Sequence, residues 1–280
     1  MKWRMWLKLG RISNLPTVWT NALAGWVLSG EAFDGAGLLL LLVALSLFYV
    51  GGMYLNDAFD AEIDARERAN RPIPQGEVSR TTVLALGSVM LALGMVLVFV
   101  LGTLAGLAGS VLAAAIVAYD WLHKRISWGP IIMGGCRLLT YVTAALAAGG
   151  LGWAVLLGGL GLFCHVVGLT YAAKQEAYDR IGAAWPLLVM AIPVLVLLFM
   201  LADNLALGLL ALYLVWGGWS LSLLFRRRPG DVPRAVVSLI AGIALYDATL
   251  IAATGMFGLA LLALIGFGAT LALQRVAPGT

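Results

Sequence analysis

Charged residues are scarce in this sequence. Only 11% of the 280 residues are charged, whereas 62% are hydrophobic and the mean hydropathy is +0.96. Soluble domains usually carry about twice this charged fraction, so the composition excludes a soluble globular protein and indicates an integral membrane protein. Cysteine is also rare. Cys136 and Cys164 both fall inside apolar runs without metal-ligand spacing, which argues against a disulfide framework and a zinc site.

Long apolar runs define the predicted architecture. A helix of about 18 or more apolar residues can cross a bilayer core of about 30 Å. We therefore expect an all-α membrane bundle of nine to ten transmembrane helices, with ten preferred, in a single domain covering residues 1–280. The ten runs are 14–32, 37–56, 82–101, 103–121, 130–149, 151–172, 184–202, 205–225, 234–254 and 256–274.

The basic residues predict how these runs are oriented. With the N-terminus in the cytoplasm, every one of the 18 Lys and Arg residues except Arg137 lies in an inner connection or at a terminus. Because positive charge resists translocation, this pattern predicts that both termini are cytoplasmic. The basic start of the chain, without a convincing cleavage site, is interpreted as an interfacial lead-in. Topology accounts for the net charge of +4, so no nucleic-acid partner is expected.

A group of carboxylates interrupts the apolar pattern after the second run. At about 100° per residue, the side chains of Asn56, Asp57, Asp60 and Asp64 converge on one side of a helix. Carboxylates on one face repel one another unless a cation lies between them, and Mg²⁺ commonly bridges carboxylates to phosphates. The prolines of NRPIPQG, residues 70–76, bend the chain back just past the acids. With the nearby arginines, this pattern predicts a site for the diphosphate of a lipid.

Two linked motifs carry a family resemblance. NDxxDxxxD at 56–64, followed by NRPxPxG at 70–76, resembles the first signature of the UbiA superfamily of intramembrane prenyltransferases. The resemblance implies an all-helical bundle, an isoprenyl diphosphate donor bound through Mg²⁺, and transfer of the prenyl group to a small-molecule acceptor, often aromatic. It implies catalytic and metal-binding roles for Asp57, Asp60 and Asp64, and substrate binding by Asn56 and Arg71.

Further elements are similar to those of the family. Residues 119–125 resemble a YxxxxKR element, which implies that Tyr119, Lys124 and Arg125 bind substrate; membrane anchoring is the alternative for the two cations. Arg137 follows a glycine pair in the fifth run, and similar stretches occur in many members, so it too is predicted to bind substrate. A guanidinium at that depth needs a partner, which is Asp247, a substrate phosphate or a lipid head group.

The second acidic signature departs from the family pattern. Where DxxxD is usual, this chain has Glu176 and Asp179, which lie one helical turn apart and can face a metal. The resemblance implies catalytic and metal-binding roles for both, and substrate binding by Tyr171 and Lys174. A solvated helix end is the alternative.

The preferred function is Mg²⁺-dependent prenyl transfer to an aromatic acceptor, as in quinone-type biosynthesis. Two alternatives stay open: a polar alcohol acceptor, such as a glycerol phosphate or a cyclitol, and a membrane transporter. A transporter places polar groups near the bilayer midplane, whereas nearly all of those here lie at one border. The expected location is a bacterial or archaeal inner membrane, with the active site facing the cytoplasm and membrane lipid around it. No oligomeric state is predicted.

Overall fold

The computed structural model of the chain describes residues 2–175, 182–201, 204–226 and 228–275. Every regular element in these ranges is helical, which confirms the all-α prediction. The helices are α1 (Lys2–Leu9), α2 (Leu15–Leu28), α3 (Gly35–Phe59), α4 (Ala61–Glu67), α5 (Arg80–Leu101), α6 (Thr103–Leu122), α7 (Gly129–Ala148), α8 (Trp153–Lys174), α9 (Ala191–Met200), α10 (Asn204–Arg226), α11 (Asp231–Ala253) and α12 (Phe257–Gln274). Short 3₁₀ turns, Ile12–Asn14 and Trp185–Met190, precede α2 and α9.

Eight described helices are long and apolar enough to cross a membrane, namely α3, α5, α6, α7, α8, α10, α11 and α12. Two of the predicted runs form shorter helices instead. Run 14–32 gives α2, with 14 residues, and run 184–202 gives a 3₁₀ turn followed by α9, with 10 residues. Membrane-spanning helices are confirmed, whereas a count of ten stays a prediction.

Helix α11 lies at the centre of the bundle. It is buried along nearly all of its length, and α2, α8, α10 and α12 pack against it. Helices α5 and α12 lie at the perimeter and expose many leucines and valines, as expected of surfaces that face lipid. The short helix α2 is held between α7 and α11, which buries its polar residues Thr17 and Asn21.

Helices α3 and α5 approach each other closely. A Cβ atom at Gly51 would lie 2.9 Å from the carbonyl oxygen of Gly87, and one at Gly94 would lie 2.9 Å from that of Ala44. Real Cβ atoms do not come this close to a backbone, so these positions require glycine, as is common between membrane helices. This contact fixes α3, whose last turn carries the acidic motif.

Candidate active site

The acidic motif lies where α3 ends. Helix α3 stops just before Asp60, and α4 begins directly after it. The side chains of Asn56, Asp57, Asp60 and Asp64 are all buried, with no residue more than 7% exposed. The structure therefore brings the four predicted residues together, and we call this group the acidic cluster.

The turn after α4 directs Arg71 back into the acidic cluster. The amide of Gln75 donates to the carbonyl oxygen of Arg71 at 3.0 Å, and Gly76 has a left-handed φ of 73°, which glycine adopts without steric cost. The Nη1 atom of Arg71 donates to Oδ1 of Asp57 at 2.6 Å, and its Nε lies 3.7 Å from Oδ2 of Asp64. Arg71 thus joins two of the carboxylates.

The end of α6 supplies two further groups. Nζ of Lys124 lies 3.2 Å from Oδ2 of Asp60 and 3.3 Å from Oδ1 of Asp64, and Nε2 of His123 lies 3.3 Å from the same Asp60 oxygen. Burial raises the pKa of Asp60, but the hydrogen bond from His123 and the charge of Lys124 outweigh it, so the pKa lies below its usual value. Asp60 is therefore ionised at neutral pH, as a metal ligand must be.

Arg11 reaches the acidic cluster from the connection between α1 and α2. Its Nη2 lies 3.2 Å from Oδ1 of Asn56 and 3.5 Å from Oδ1 of Asp57, and its carbonyl oxygen accepts from the Tyr49 hydroxyl at 3.1 Å. Its φ of 42° is the only positive value at a described residue other than glycine, a conformation that costs about 1–2 kcal/mol. Burial lowers the pKa of Arg11, but the charge of Asp57 and the smaller effects of Tyr49, Tyr119 and Asp120 together outweigh it, so the pKa is raised.

Asn56 is fixed at both ends of its amide group. Its oxygen faces Arg11, and its Nδ2 donates to Oδ1 of Asp120 at 3.2 Å. Asp120 is buried, and its Oδ2 has no hydrogen-bond partner in the described part of the chain. Buried carboxylate oxygens are rarely left unpaired, so this oxygen lies ready for a cation or a proton donor.

The oxygen donors of the cluster fit a magnesium ion. Mg²⁺ is usually held by one or two carboxylates together with substrate phosphates and waters. Arg71 and Lys124 each lie between two carboxylates, so ligand oxygens from Asp57, Asp60 and Asp64 are already adjacent. No three His, Cys, Asp or Glu side chains of the described residues are grouped closely enough to hold a metal alone. The arrangement therefore suits an ion that is completed by oxygens of a bound diphosphate.

Two residues of the YxxxxKR element have different surroundings. The Tyr119 ring stacks on that of His123, with centroids 4.9 Å apart, and so lies beside the acidic cluster. The Arg125 guanidinium lies over the exposed Trp121 ring, 5.3 Å from its centroid. No described contact joins Arg125 to the cluster, which favours the membrane-anchoring alternative for this residue.

The predicted residues around α8 are only partly described. The Tyr171 hydroxyl bonds both main-chain groups of Ala183, and Lys174 donates to a main-chain oxygen of the α6–α7 connection at 3.0 Å. These contacts hold connections in place, and among the described residues neither side chain touches the acidic cluster. Glu176 and Asp179 lie outside the described residues.

Arg137 contacts a second polar group, deeper in the bundle. Its Nη1 donates to Oδ1 of Asn21 at 2.6 Å, and its Nη2 donates to Oγ1 of Thr17 at 3.2 Å. Nδ2 of Asn21 then donates to Oδ2 of Asp247 at 2.7 Å, and Tyr141 donates to the other oxygen of that carboxylate. Asp247, one of the expected partners of Arg137, is therefore reached through Asn21 and not directly. We call these five residues the α7 network.

An apolar groove of about 700 Å³ lies between α3, α5 and α6. Its lining includes Phe59 and Trp121, which adjoin Asp60 and Asp120 in the sequence, and continues through Leu91 and other small or apolar side chains. Its end at Phe59 and Trp121 therefore lies at the level of the acidic cluster. The groove is suited to a hydrocarbon chain.

Sequence reasoning did not assign Arg11 or His123 to the site. Arg11 lies 45 residues before Asn56. It belongs to the basic start of the chain, where an arginine commonly serves only as a membrane anchor. A single histidine at a membrane border is commonly a surface residue, yet His123 is largely buried against Asp60. The one available signal was position, because His123 directly precedes Lys124 of the recognised element.

The fold and the site define an integral membrane protein with a buried centre of carboxylates and cations at one end of a helix bundle. The chain belongs to the UbiA prenyltransferase family, whose model matches residues 17–183. The resemblance found from the sequence motifs is thereby confirmed. Membership of a prenyltransferase family supports the prediction that the protein is an enzyme, and it gives no support to the transporter alternative.

Several archaeal proteins are similar to this chain. The digeranylgeranylglyceryl phosphate synthase of Metallosphaera sedula is 32% identical over 148 residues, which cover 52% of this chain and 51% of the relative. The chain thus spans about half the length of this curated relative. A UbiA homolog from Aeropyrum pernix K1 is 19% identical, with a TM-score of 0.69 over 86% of this chain and 97% of the other. One from Archaeoglobus fulgidus, solved with GPP and Mg²⁺, is 14% identical, with a TM-score of 0.62 over 90% and 99%. The two structures show a shared fold.

Proposed function

We propose that this protein transfers a prenyl group from a Mg²⁺-bound isoprenyl diphosphate to a hydroxyl group of a glycerol phosphate acceptor. The observation that carries the proposal is the acidic cluster, in which three buried carboxylates alternate with Arg11, Arg71 and Lys124. The relative's name refers to a glyceryl phosphate product. It favours the polar-alcohol alternative over the aromatic acceptor that the sequence motifs suggested first.

The acidic cluster has the two kinds of group that a diphosphate site needs. Asp57, Asp60 and Asp64 would hold Mg²⁺, which neutralises charge on the diphosphate and stabilises it as a leaving group. The structure of the Archaeoglobus homolog was solved with both GPP and Mg²⁺, which supports this pairing. Without a ligand, Arg71 and Lys124 neutralise the carboxylates. When the donor is bound, the same two side chains would donate hydrogen bonds to its phosphate oxygens.

In the reaction, the bond between C1 of the prenyl group and the diphosphate oxygen breaks, and a bond forms between C1 and the acceptor oxygen. The acceptor hydroxyl loses its proton, which the released diphosphate can accept. The allylic cation character at C1 must be kept from water. Burial of Asp57, Asp60 and Asp64 meets this need, and the Tyr119 ring beside the cluster can stabilise positive charge.

The apolar groove offers a place for the donor's hydrocarbon chain. Its end at Phe59 and Trp121 lies at the level of the diphosphate site, and its remaining lining is almost entirely apolar. A chain that leaves the acidic cluster in this direction would stay in hydrocarbon surroundings for its whole length. Replacing Ala114 with a larger residue would then shift the preference toward donors with a shorter prenyl chain.

The proposal is tested with purified protein in detergent. Labelled geranyl, farnesyl and geranylgeranyl diphosphates are each incubated with geranylgeranylglyceryl phosphate or 4-hydroxybenzoate, with Mg²⁺ or with EDTA. We expect Mg²⁺-dependent product with the glycerol phosphate acceptor and none with EDTA. Transfer to 4-hydroxybenzoate alone would restore the aromatic acceptor, and the absence of both product and released diphosphate from every combination would contradict a prenyltransferase.

A further inference from the structure

Arg137 differs from the cations of the acidic cluster in what it touches. Those cations each contact at least one carboxylate, whereas the direct hydrogen bonds of Arg137 go to the neutral side chains of Asn21 and Thr17. A guanidinium has five N–H donors, and these two contacts leave others available. A buried cation that is incompletely paired is costly inside a membrane, so its presence calls for a ligand or another anion.

The position of Arg137 on α7 shows where its free donors face. It lies on the same face of the helix as Tyr141 and Ala144, one and two turns deeper, and both of those residues are fully buried. Arg137 itself keeps partial exposure. This face of α7 points into the bundle, so the Arg137 side chain begins on an inward-facing side of the helix.

Arg137 lies near the acidic cluster. A helical side chain tilts toward the N-terminus of its helix, so Arg137 extends toward the end of α7 that adjoins the α6–α7 connection and Lys124. Tyr49, about two turns before Asp57 on α3, lies within electrostatic reach of both Arg11 and Arg137. With a donor diphosphate bound at the acidic cluster, Arg137 would lie deeper in the bundle than the diphosphate, where we expect an acceptor to meet C1 of the donor.

The partners of Arg137 are themselves held in one orientation. Asn21 donates its amide N–H to Asp247, so its oxygen must face the guanidinium. Thr17 donates its hydroxyl proton to the carbonyl oxygen of Asn14 at 2.7 Å, which leaves a lone pair for Arg137. The α7 network therefore fixes the guanidinium before any ligand arrives, and such preorganisation lowers the cost of binding.

We propose that Arg137, with Thr17 and Asn21, forms a second anion subsite that binds the phosphate monoester of the acceptor, separate from the diphosphate subsite of the acidic cluster. This proposal rests on the proposed function, because it assigns the acceptor to that same site. Binding the acceptor phosphate at Arg137 holds the glycerol hydroxyl on the inner side of the donor. Asp247 and Tyr141 are positioning residues that act through Asn21.

The test measures binding without turnover, by calorimetry in detergent. Geranylgeranylglyceryl phosphate and geranylgeranylglycerol are titrated into the wild type, Arg137→Gln and Arg137→Lys. We expect the wild type to bind the phosphorylated lipid about tenfold or more tightly than the alcohol, as charged hydrogen bonds usually give. Arg137→Gln should bind the two equally, and Arg137→Lys should recover part of the preference.

Controls separate this subsite from the donor site and from the fold. Binding of geranylgeranyl diphosphate with Mg²⁺ should stay within about twofold in Arg137→Gln, and the exposed Arg234→Gln of α11 should match the wild type in every titration. If Arg137→Gln does not fold, Thr17→Val removes one contact with little change in shape and should reduce the preference for phosphate about threefold.

Each outcome decides the proposal. A wild type that binds both lipids equally, an unchanged preference in the variants, or equal loss of donor binding would overturn the second subsite. A lack of prenyl transfer in the wild type would instead refute the proposed function, because the lipid titrations do not depend on turnover. Tighter binding of 4-hydroxybenzoate than of the phosphorylated lipid, dependent on Arg137, would overturn the phosphate assignment.

Discussion

The acidic cluster and the α7 network both bury arginine, but they balance its charge differently. In the acidic cluster, Arg71 contacts Asp57 at 2.6 Å and Lys124 contacts Asp60 at 3.2 Å, so opposite charges meet directly. In the α7 network, Arg137 donates to two neutral side chains, Asn21 and Thr17. Asn21 lies between Arg137 and the carboxylate of Asp247. The first arrangement can exchange its cations for a metal and a diphosphate. The second, under the proposal above, keeps one cation available for a single anion.

From this difference we expect the acidic cluster to act on the donor and the α7 network to act on the acceptor. Removing a group from the acidic cluster should affect donor and metal first, because its carboxylates and cations depend on one another. Removing a group from the α7 network should affect the acceptor first.

The largest effect is expected for Asp64→Ala. Asp64 contacts both Arg71 and Lys124, so its loss removes a proposed metal ligand and leaves two cations without their shared partner. We expect turnover to fall by about a thousandfold or more, the order of several kcal/mol of lost charge stabilisation. The measurement is diphosphate release at saturating Mg²⁺. The matched control is Glu62→Ala, because Glu62 is an exposed acid on the same helix. Equal activity in the two variants would show that Asp64 is not part of the active site.

Lys124→Ala should weaken donor binding by about ten- to a hundredfold, because a hydrogen bond to a charged group is usually worth about 1.5–3 kcal/mol. KM for the donor reports the change, with KM for the acceptor expected to stay nearly constant. Arg125→Ala removes the neighbouring cation, which lies over Trp121, and should change donor KM little. Unchanged donor KM in Lys124→Ala would leave that lysine with an anchoring role alone.

Asp247→Asn should act on the α7 network without touching the acidic cluster. The new amide cannot accept hydrogen bonds from both Asn21 and Tyr141 as the carboxylate does, so Asn21 loses its fixed orientation. We expect acceptor KM to rise several-fold and the free energy of unfolding to fall by about 1–3 kcal/mol, with donor KM unchanged. Tyr141→Phe removes one of the two bonds and should give a smaller version of both effects. A rise in donor KM equal to that of acceptor KM would contradict this division between donor and acceptor roles.

The smallest effect concerns the backbone of Arg11. At its φ of 42°, glycine is free of the steric cost that other residues carry. Arg11→Gly and Arg11→Ala both lose the guanidinium, so we expect equal losses of donor affinity. Arg11→Gly should nevertheless be more stable to unfolding by about 1 kcal/mol. Equal stability of the two variants in thermal unfolding would show that the strain is not present.

The parts of the fold that depend on neighbouring residues were predictable from the sequence. Apolar length gave the all-helical membrane bundle, and the spacing of the motif placed Asn56, Asp57, Asp60 and Asp64 together. Runs 14–32 and 184–202 gave shorter helices than expected. Hydropathy cannot distinguish a full crossing from a short helix held inside the bundle, because both are apolar.

The site was predictable where its parts are close in sequence. Arg71 follows Asp64 by seven residues, and the motif identified it. Arg11 and Asn21 reach their partners across 45 and 226 residues, and no local pattern signals either contact. Arg125 and Lys174 belong to motifs that predicted substrate binding. In the structure, Arg125 lies over the Trp121 ring, and Lys174 donates to a main-chain oxygen.

The sequence by itself determined a helical membrane protein with carboxylates gathered at one border, because helix periodicity and bilayer thickness act on neighbouring residues. Only the tertiary structure decided which cations face those carboxylates and which arginine faces neutral groups. Those pairings depend on how α2, α6 and α7 pack against α3 and how α11 packs against α2. Packing brings together side chains whose separation in sequence carries no information about distance.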